Sequence, residues 1–279
     1  MCLRLAIISC LVLCIGCRTE PKLHHAGPTI HQVDPAVAVY VGGQLDGYAG
    51  LQELGFRSVI DVDATTPRTQ PNVDMQIVHL PLRYSGITEE EARALAGALG
   101  SMDRPIYVHC HHGTNRAPAA VAVGLVGTGE WTPDQGMRLL ERIGTDRAFT
   151  GLYDSVAAAD GIAPADRMSI KQLDRTVDGF PVLMAGIDEV WATLVEDLRS
   201  RRPSPDAAAQ SAEFVDMLRV AFDTDARMEA EGYRALADQA VAHATALEHA
   251  LRTDQLRRIR ELVDAVQTTC RACHRRFRD

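Results

Sequence analysis

The stretch "IYVHCHHGTNRAP", residues 106–118, decides the fold. Its first five residues are a β-branched and aromatic run of the kind that fills a buried strand. Its end opens a small-residue apolar stretch that predicts a helix over about 115–128. Between the two stand His109, Cys110, His111, His112, Gly113, Thr114, Asn115 and Arg116. Five residues separate the cysteine at the strand end from the arginine at the helix start, and five residues can curl so that successive backbone N–H groups point at one anion. That field favours the thiolate of Cys110 as a nucleophile, and Arg116 adds a planar fork able to hold two anion oxygens. Gly113 suits a loop that needs unusual dihedrals. A metal site built from His109, His111 and His112 competes with this reading. It is disfavoured because consecutive residues on a turn rarely converge on one ion and zinc sites prefer histidines three to five apart. Plain solvation fits at least one of His111 and His112.

Working outward, short β-branched runs occur at 37–41, 58–62 and 75–82, as well as at 106–110. Helical patterns lie between and after them, at about 46–54, 88–101, 115–128 and 133–143. Thr88, with Glu91 three residues on, marks a helix start. Strands alternating with helices predict an α/β domain with a central, mostly parallel sheet over about 30–162. A linker is expected at 163–180. After Gly161 strand signals stop, and beyond Pro181 four helices are expected at about 181–200, 205–222, 226–252 and 254–278, making an all-α four-helix bundle.

The His-Cys-x5-Arg spacing resembles the phosphate-binding loop of the cysteine-dependent dual-specificity and tyrosine phosphatase superfamily. "LQELGFRSVIDVD", "VHLPLRYSGI" and "GTDRAFTGLYDSV" resemble further segments of that superfamily. The resemblance implies that Cys110 forms a thiophosphate intermediate, that Arg116 and the loop residues 111–115 hold the phosphate, and that His109 orients the loop from beneath. A phosphorylated substrate or anionic partner follows from it. Two departures bear on activity. Ala117 stands where a hydroxyl residue often assists departure of the thiolate. The loop after the third strand, "LPLRYSGI", carries no carboxylate where the superfamily places its general acid. Asp61, Asp63, Asp74, Glu89 and Glu90 are the nearest substitutes. A catalytically weak or inactive phosphate-binding module is therefore the alternative to an active phosphatase.

A second cluster, "CRACH" at 270–274, has the Cys-x-x-Cys-His spacing of c-type haem attachment. A redox dithiol is the other use of such a pair, but that pair normally sits beside a βαβ pattern, whereas this one falls in a helix. Leu256, Ile259, Val263, Val266, Cys270, Cys273 and Phe277 follow steps of three and four, so both cysteines share the apolar stripe of the last helix. A bundle ending in this motif resembles the cytochrome c-prime and related class II cytochrome c family. The resemblance implies covalent haem on Cys270 and Cys273 with His274 as axial ligand to the iron. Met184, in the first bundle helix, is the candidate distal ligand, with His243 a weaker one. Electron transfer with a redox partner, or binding of a small gas, would follow, and family members often form homodimers.

The first residues, "MCLRLAIISCLVLCIGC", combine Arg4 with an apolar run shorter than the ~20 residues that cross a bilayer. Residues 1–17 read as an export signal. The Gly16-Cys17 pair resembles a bacterial lipoprotein signal, which implies lipidation at Cys17 and a membrane anchor in the periplasm or cell envelope. A plain secretory signal cut before Pro21 is the other reading. Four of the seven cysteines fall in this segment, so only Cys110, Cys270 and Cys273 are left to explain. A net charge of −8 and a pI near 5.7 argue against nucleic-acid partners.

Overall fold

The computed structural model describes residues 29–64, 73–169, 180–200 and 202–277. The signal-like segment, with Cys17, and residues 170–179 of the expected linker lie outside them.

The N-terminal part is built on a five-stranded sheet of β1 (His31–Asp34), β2 (Val39–Gly43), β3 (Ser58–Asp61), β4 (Gln76–His79) and β5 (Ile106–Cys110), in the order β1-β2-β5-β3-β4. The last four strands in that order are parallel, and β1 runs antiparallel to β2. The sequence analysis did not anticipate β1. It is an edge strand whose only buried residue is Val33, so it carries no apolar run to detect. β5 is central and buried along its whole length. Register aligns Cys110 with Gly43 and His109 with Asp61, which brings the carboxyl ends of β2, β3 and β5 to one place. In open α/β sheets that edge is where ligands bind.

Helices α1 (Ala49–Glu53), α2 (Glu89–Ser101), α3 (Arg116–Gly127), α4 (Pro133–Ile143) and α5 (Thr150–Ala157) connect and cover the sheet. Every residue of α3 is buried, which its run of Ala, Val and Gly permits because small side chains allow close approach on all sides. The expected start of α2 is present as a capping box: Thr88 Oγ1 accepts from the Glu91 amide, and the Glu91 carboxylate accepts from the Thr88 amide at 2.8 Å.

Past residue 180 the chain is helical: α6 (Phe180–Leu198), α7 (Ala207–Thr224), α8 (Tyr233–Arg252) and α9 (Leu256–Phe277). Successive helices pack on one another, and all four contribute to one apolar cluster that includes Ile187, Phe214, Ala240 and Val266. The third of these helices was expected from about 226 and begins at Tyr233 instead. Asp225 caps a short 3-10 turn at Ala226–Glu229, and Gly232, at φ 78°, takes a left-handed conformation that a continuous helix excludes. Leu256, placed on the apolar stripe of α9 by the sequence pattern, is 46% exposed at the first turn. Among the described residues no helix is long and apolar enough to cross a membrane.

The two parts are not separated by solvent. Ala209 and Ala212 of α7 are buried in the same cluster as the sheet residues. Asp146, between α4 and α5, accepts from Arg252 of α8 at 2.6 Å. Replacing Thr88 by Ala is expected to lower stability by about 1 kcal/mol through loss of the cap on α2, measured as a shift in the urea unfolding midpoint at unchanged slope.

Candidate active site and apolar cavity

The turn from β5 into α3 folds back over the ends of β2 and β3. Gly113 takes φ 79°, and a Cβ there would lie 2.2 Å from the Gly42 carbonyl carbon, so both the conformation and the close approach require glycine. Its amide points inward, at 3.3 Å from Cys110 Sγ. Cys110 is 1% exposed. The loop is buttressed from behind, where Thr145 donates to the Thr114 carbonyl at 2.8 Å and the Asp146 amide donates to Asn115 Oδ1 at 3.0 Å.

His109 lies beneath the loop, buried between Tyr48 and Tyr107. Its Nε2 is 2.6 Å from the Tyr48 hydroxyl, and its Nδ1 is 3.7 Å from Asp61 Oδ1 without a hydrogen-bond partner. Burial pushes the His109 imidazole down to about 4 and the Asp61 carboxyl up to about 8. Both effects favour the neutral forms, so at neutral pH this layer carries little charge of its own. His111 Nδ1 lies 3.1 Å from Gln44 Oε1 and 3.8 Å from Asp63 Oδ2, with its ring edge-on to His112. Among the described residues no three His, Cys, Asp or Glu side chains form a group able to hold a metal ion, so the three histidines of this turn do not converge.

Arg116 is the first residue of α3 and has no exposed surface. One terminal nitrogen pairs with Asp63 Oδ1 at 2.8 Å, and the other pairs with Asp216 Oδ2 at 2.7 Å and donates to the Leu82 carbonyl at 3.2 Å. Its guanidinium carbon lies 4.4 Å from the centre of the Tyr84 ring. Burial opposes its charge, but Asp216, then Tyr84 and other neighbours, hold the guanidinium firmly protonated. Asp216 belongs to α7 and also pairs with Arg219. Burial raises its carboxyl to about 6, against the pull of Arg116 and Arg219.

The substitutes considered for the general acid fall into distinct places. Asp63 is committed to Arg116, and Asp61 accepts the Asp63 amide at 2.8 Å beneath the loop. Asp74 is exposed, with its amide donating to Gln52. Glu89 pairs with Arg93 on the surface of α2. Glu90 lines a cleft of about 950 Å³ between the loop after β4 and the helices α6 and α7. Two further carboxylates at that loop come from α7: Glu213 accepts the Ser85 amide at 3.0 Å, and Asp216 sits on Arg116. The sequence analysis missed both. The available signal was the run Ala209, Ala212, Asp216, Arg219, at steps of three, four and three, which marks a second packed face on α7.

Cys270, Cys273 and His274 line a separate cavity of about 480 Å³ within the C-terminal helices. Met184 and Trp191 of α6, Phe214 and Leu218 of α7, and Tyr233 of α8 enclose it. Burial raises both thiols, Cys270 to about 11, and neither is in a disulfide. His243 is not among the lining residues; its Nδ1 lies 3.1 Å from Thr269 Oγ1.

Residues 22–130 match the family model PTP-NADK, described as DSP-PTPase phosphatase fused to NAD+ kinase. That match falls on the N-terminal α/β part, whose likeness to dual-specificity-type phosphatases covers about two fifths of the chain. Solved structures similar to it include TpbA of P. aeruginosa, at 18% identity over 47% of this chain and 90% of that one, with a TM-score of 0.38. A second structure of TpbA, in complex with pTyr, has the same values. Human DUSP28 is similar at 14% identity over 48% of this chain and 95% of that one, with a TM-score of 0.35. No curated protein matches the chain.

The environment of Asp61 has a consequence for stability. Its folded pKa, near 8, lies above the ordinary carboxyl value, so folding at neutral pH opposes an ionisation that the unfolded chain completes. The penalty grows as pH rises from about 4 and levels off near 8. Asp61→Asn keeps an acceptor for the Asp63 amide and removes the ionisation. It is expected to stabilise the protein by roughly 2 to 4 kcal/mol at pH 8 and by little at pH 4.5, read from thermal or urea melts at both pH values.

Proposed function

We propose that the protein is an exported cysteine-dependent phosphatase that hydrolyses phosphate monoesters, fused to a c-type haem domain. The observation that carries the phosphatase reading is the Cys110 to Arg116 turn, with its thiol at the carboxyl edge of a parallel sheet, a loop amide on the sulfur, and an arginine opening the next helix. In the reaction the Cys110 thiolate attacks phosphorus, the ester P–O bond breaks, and the departing oxygen takes a proton. Water then attacks the thiophosphate and releases inorganic phosphate and the cysteine. Arg116 and the loop amides stabilise the charge on the transferred group's oxygens, a role for which the planar guanidinium is suited. A phosphorylated protein side chain or another phosphate monoester is the substrate class. Cys110→Ser is expected to abolish hydrolysis of a simple aryl phosphate by the haem-loaded protein. Turnover persisting in a clean Cys110→Ser preparation would assign the chemistry to another nucleophile. No turnover from wild type with a verified free thiol would leave phosphate binding alone.

The residues around the second cavity fit a covalently held haem. Two cysteines three apart and the adjoining histidine line one cavity, and the other walls are largely apolar. Burial raises both thiols above the ordinary range, which disfavours the thiolate that a redox dithiol uses. Cys270 and Cys273 would hold the haem through thioethers, His274 would ligate the iron, and Met184 stands in the wall as the candidate distal residue. A bound haem would supply electron transfer or gas binding. Attachment of such a group outside the bacterial cytoplasm accords with residues 1–17 as an export signal, with Cys17 as the lipidation site. Expression in a host that attaches c-type haem is expected to give a band that keeps its haem stain under denaturing conditions. Changing Cys270 and Cys273 together to Ser should remove the stain, and a stain that survives would exclude this attachment.

A further inference from the structure

Arg116 must be free to receive phosphate if the loop is to work, and in this structure it is not. Its two terminal nitrogens are taken by Asp63 and Asp216, one face of the guanidinium lies against the Tyr84 ring, its unpartnered Nε is buried, and none of it is exposed. A phosphate dianion would need one edge of the same fork. The wide cleft beside the site is lined by Leu82, Glu213 and Asp216, whereas Cys110 and Arg116 are absent from its walls. We propose that α7 is an intramolecular inhibitor of the Cys110 loop: the Asp216 carboxylate occupies the position on Arg116 that a substrate phosphate would take, and turnover requires α7 to withdraw. This inference rests on the phosphatase reading for its consequence, but the occupied guanidinium stands on geometry alone.

The two aspartates differ in where they come from. Asp63 lies two residues past β3, inside the phosphatase-like fold, and stays with Arg116 whatever the C-terminal helices do. Asp216 arrives on a helix that begins almost a hundred residues after the loop. That helix is seated by Ala209 and Ala212 in the sheet's apolar cluster and by Glu213 on the Ser85 amide, while its own Arg219 pairs with Asp216 along the helix. Withdrawal of α7 would therefore remove one carboxylate from Arg116 and leave the other, so the guanidinium would keep a counter-charge while one edge became free for phosphate. If the competent form is a minor fraction of the molecules, the apparent affinity for phosphate is reduced by that fraction.

The test uses the haem-loaded full chain, with Asp216→Asn to remove the charge at constant size and Glu213→Gln to loosen the contact at Ser85. Two quantities are read: kcat/KM for an aryl phosphate, and the dissociation constant of inorganic phosphate. Asp216→Asn is expected to raise kcat/KM at least tenfold and to tighten phosphate binding by a similar factor, with a smaller change in the same direction for Glu213→Gln. No turnover from wild type or variants, together with tighter phosphate binding by Asp216→Asn, would remove the phosphatase reading and leave the inhibitory contact supported. Phosphate binding no tighter and turnover no faster in both variants, with far-ultraviolet dichroism unchanged, would overturn the proposal. A fall in kcat for Asp216→Asn without tighter phosphate binding would also overturn it, and would make Asp216 a proton donor instead.

Discussion

A guanidinium with no exposed surface must find its counter-charge inside the protein, and Arg116 finds it in Asp63 at the end of β3 and Asp216 on α7. Removing a cation from water costs several kcal/mol unless charge and hydrogen bonds replace the lost hydration, so these contacts are not ornamental. With Arg219 also on Asp216, the buried group holds two cations and two carboxylates and is close to neutral as a whole. That balance is what allows the loop after β5 to be covered by another layer of protein. It also ties the geometry of the cysteine loop to a helix from a different part of the chain.

Helix α7 has two occupations because its two sides carry different residues. Ala209, Ala212 and Asp216 face the sheet side, and Phe214, Leu218 and Phe222, at steps of four on the opposite side, line the apolar cavity that Cys270 and Cys273 also line. Small residues on the first side let the backbone come close enough for a short aspartate to reach Arg116. Large residues on the second side enclose a space instead of filling it. One rigid element is thus in contact with both chemically distinctive sites.

Much of this was legible from short-range signals. Cys110 at a strand end and Arg116 at a helix start follow from local composition, and the capping residues Thr88 and Glu91 declare the start of α2 in the same way. The apolar steps of α9 locate Cys270 and Cys273 on a common face. What the sequence hid is long-range pairing. Nothing local to Asp216 says that its partner lies a hundred residues earlier, and a helix read for its large apolar stripe conceals a second face made of alanines. β1 escaped for a related reason, since a four-residue edge strand with one buried side chain has no periodicity to detect. Gly232 stopped a helix that a continuous apolar pattern had extended to 226, because the pattern reports burial and not backbone conformation.

The shared packing of α7 bears on how the molecule melts. Ala209 and Ala212 are core residues for the sheet while their neighbours on α7 are core residues for the helical part, so neither part has a closed apolar surface without the other. Detaching them would wet the sheet-facing side of α7 and leave the Asp216 carboxylate without its partner Arg116. The free energy of that step links the opening of one part to the opening of the other. Two modules that look separable along the sequence thus meet on one side of α7, where opening that contact exposes residues of both.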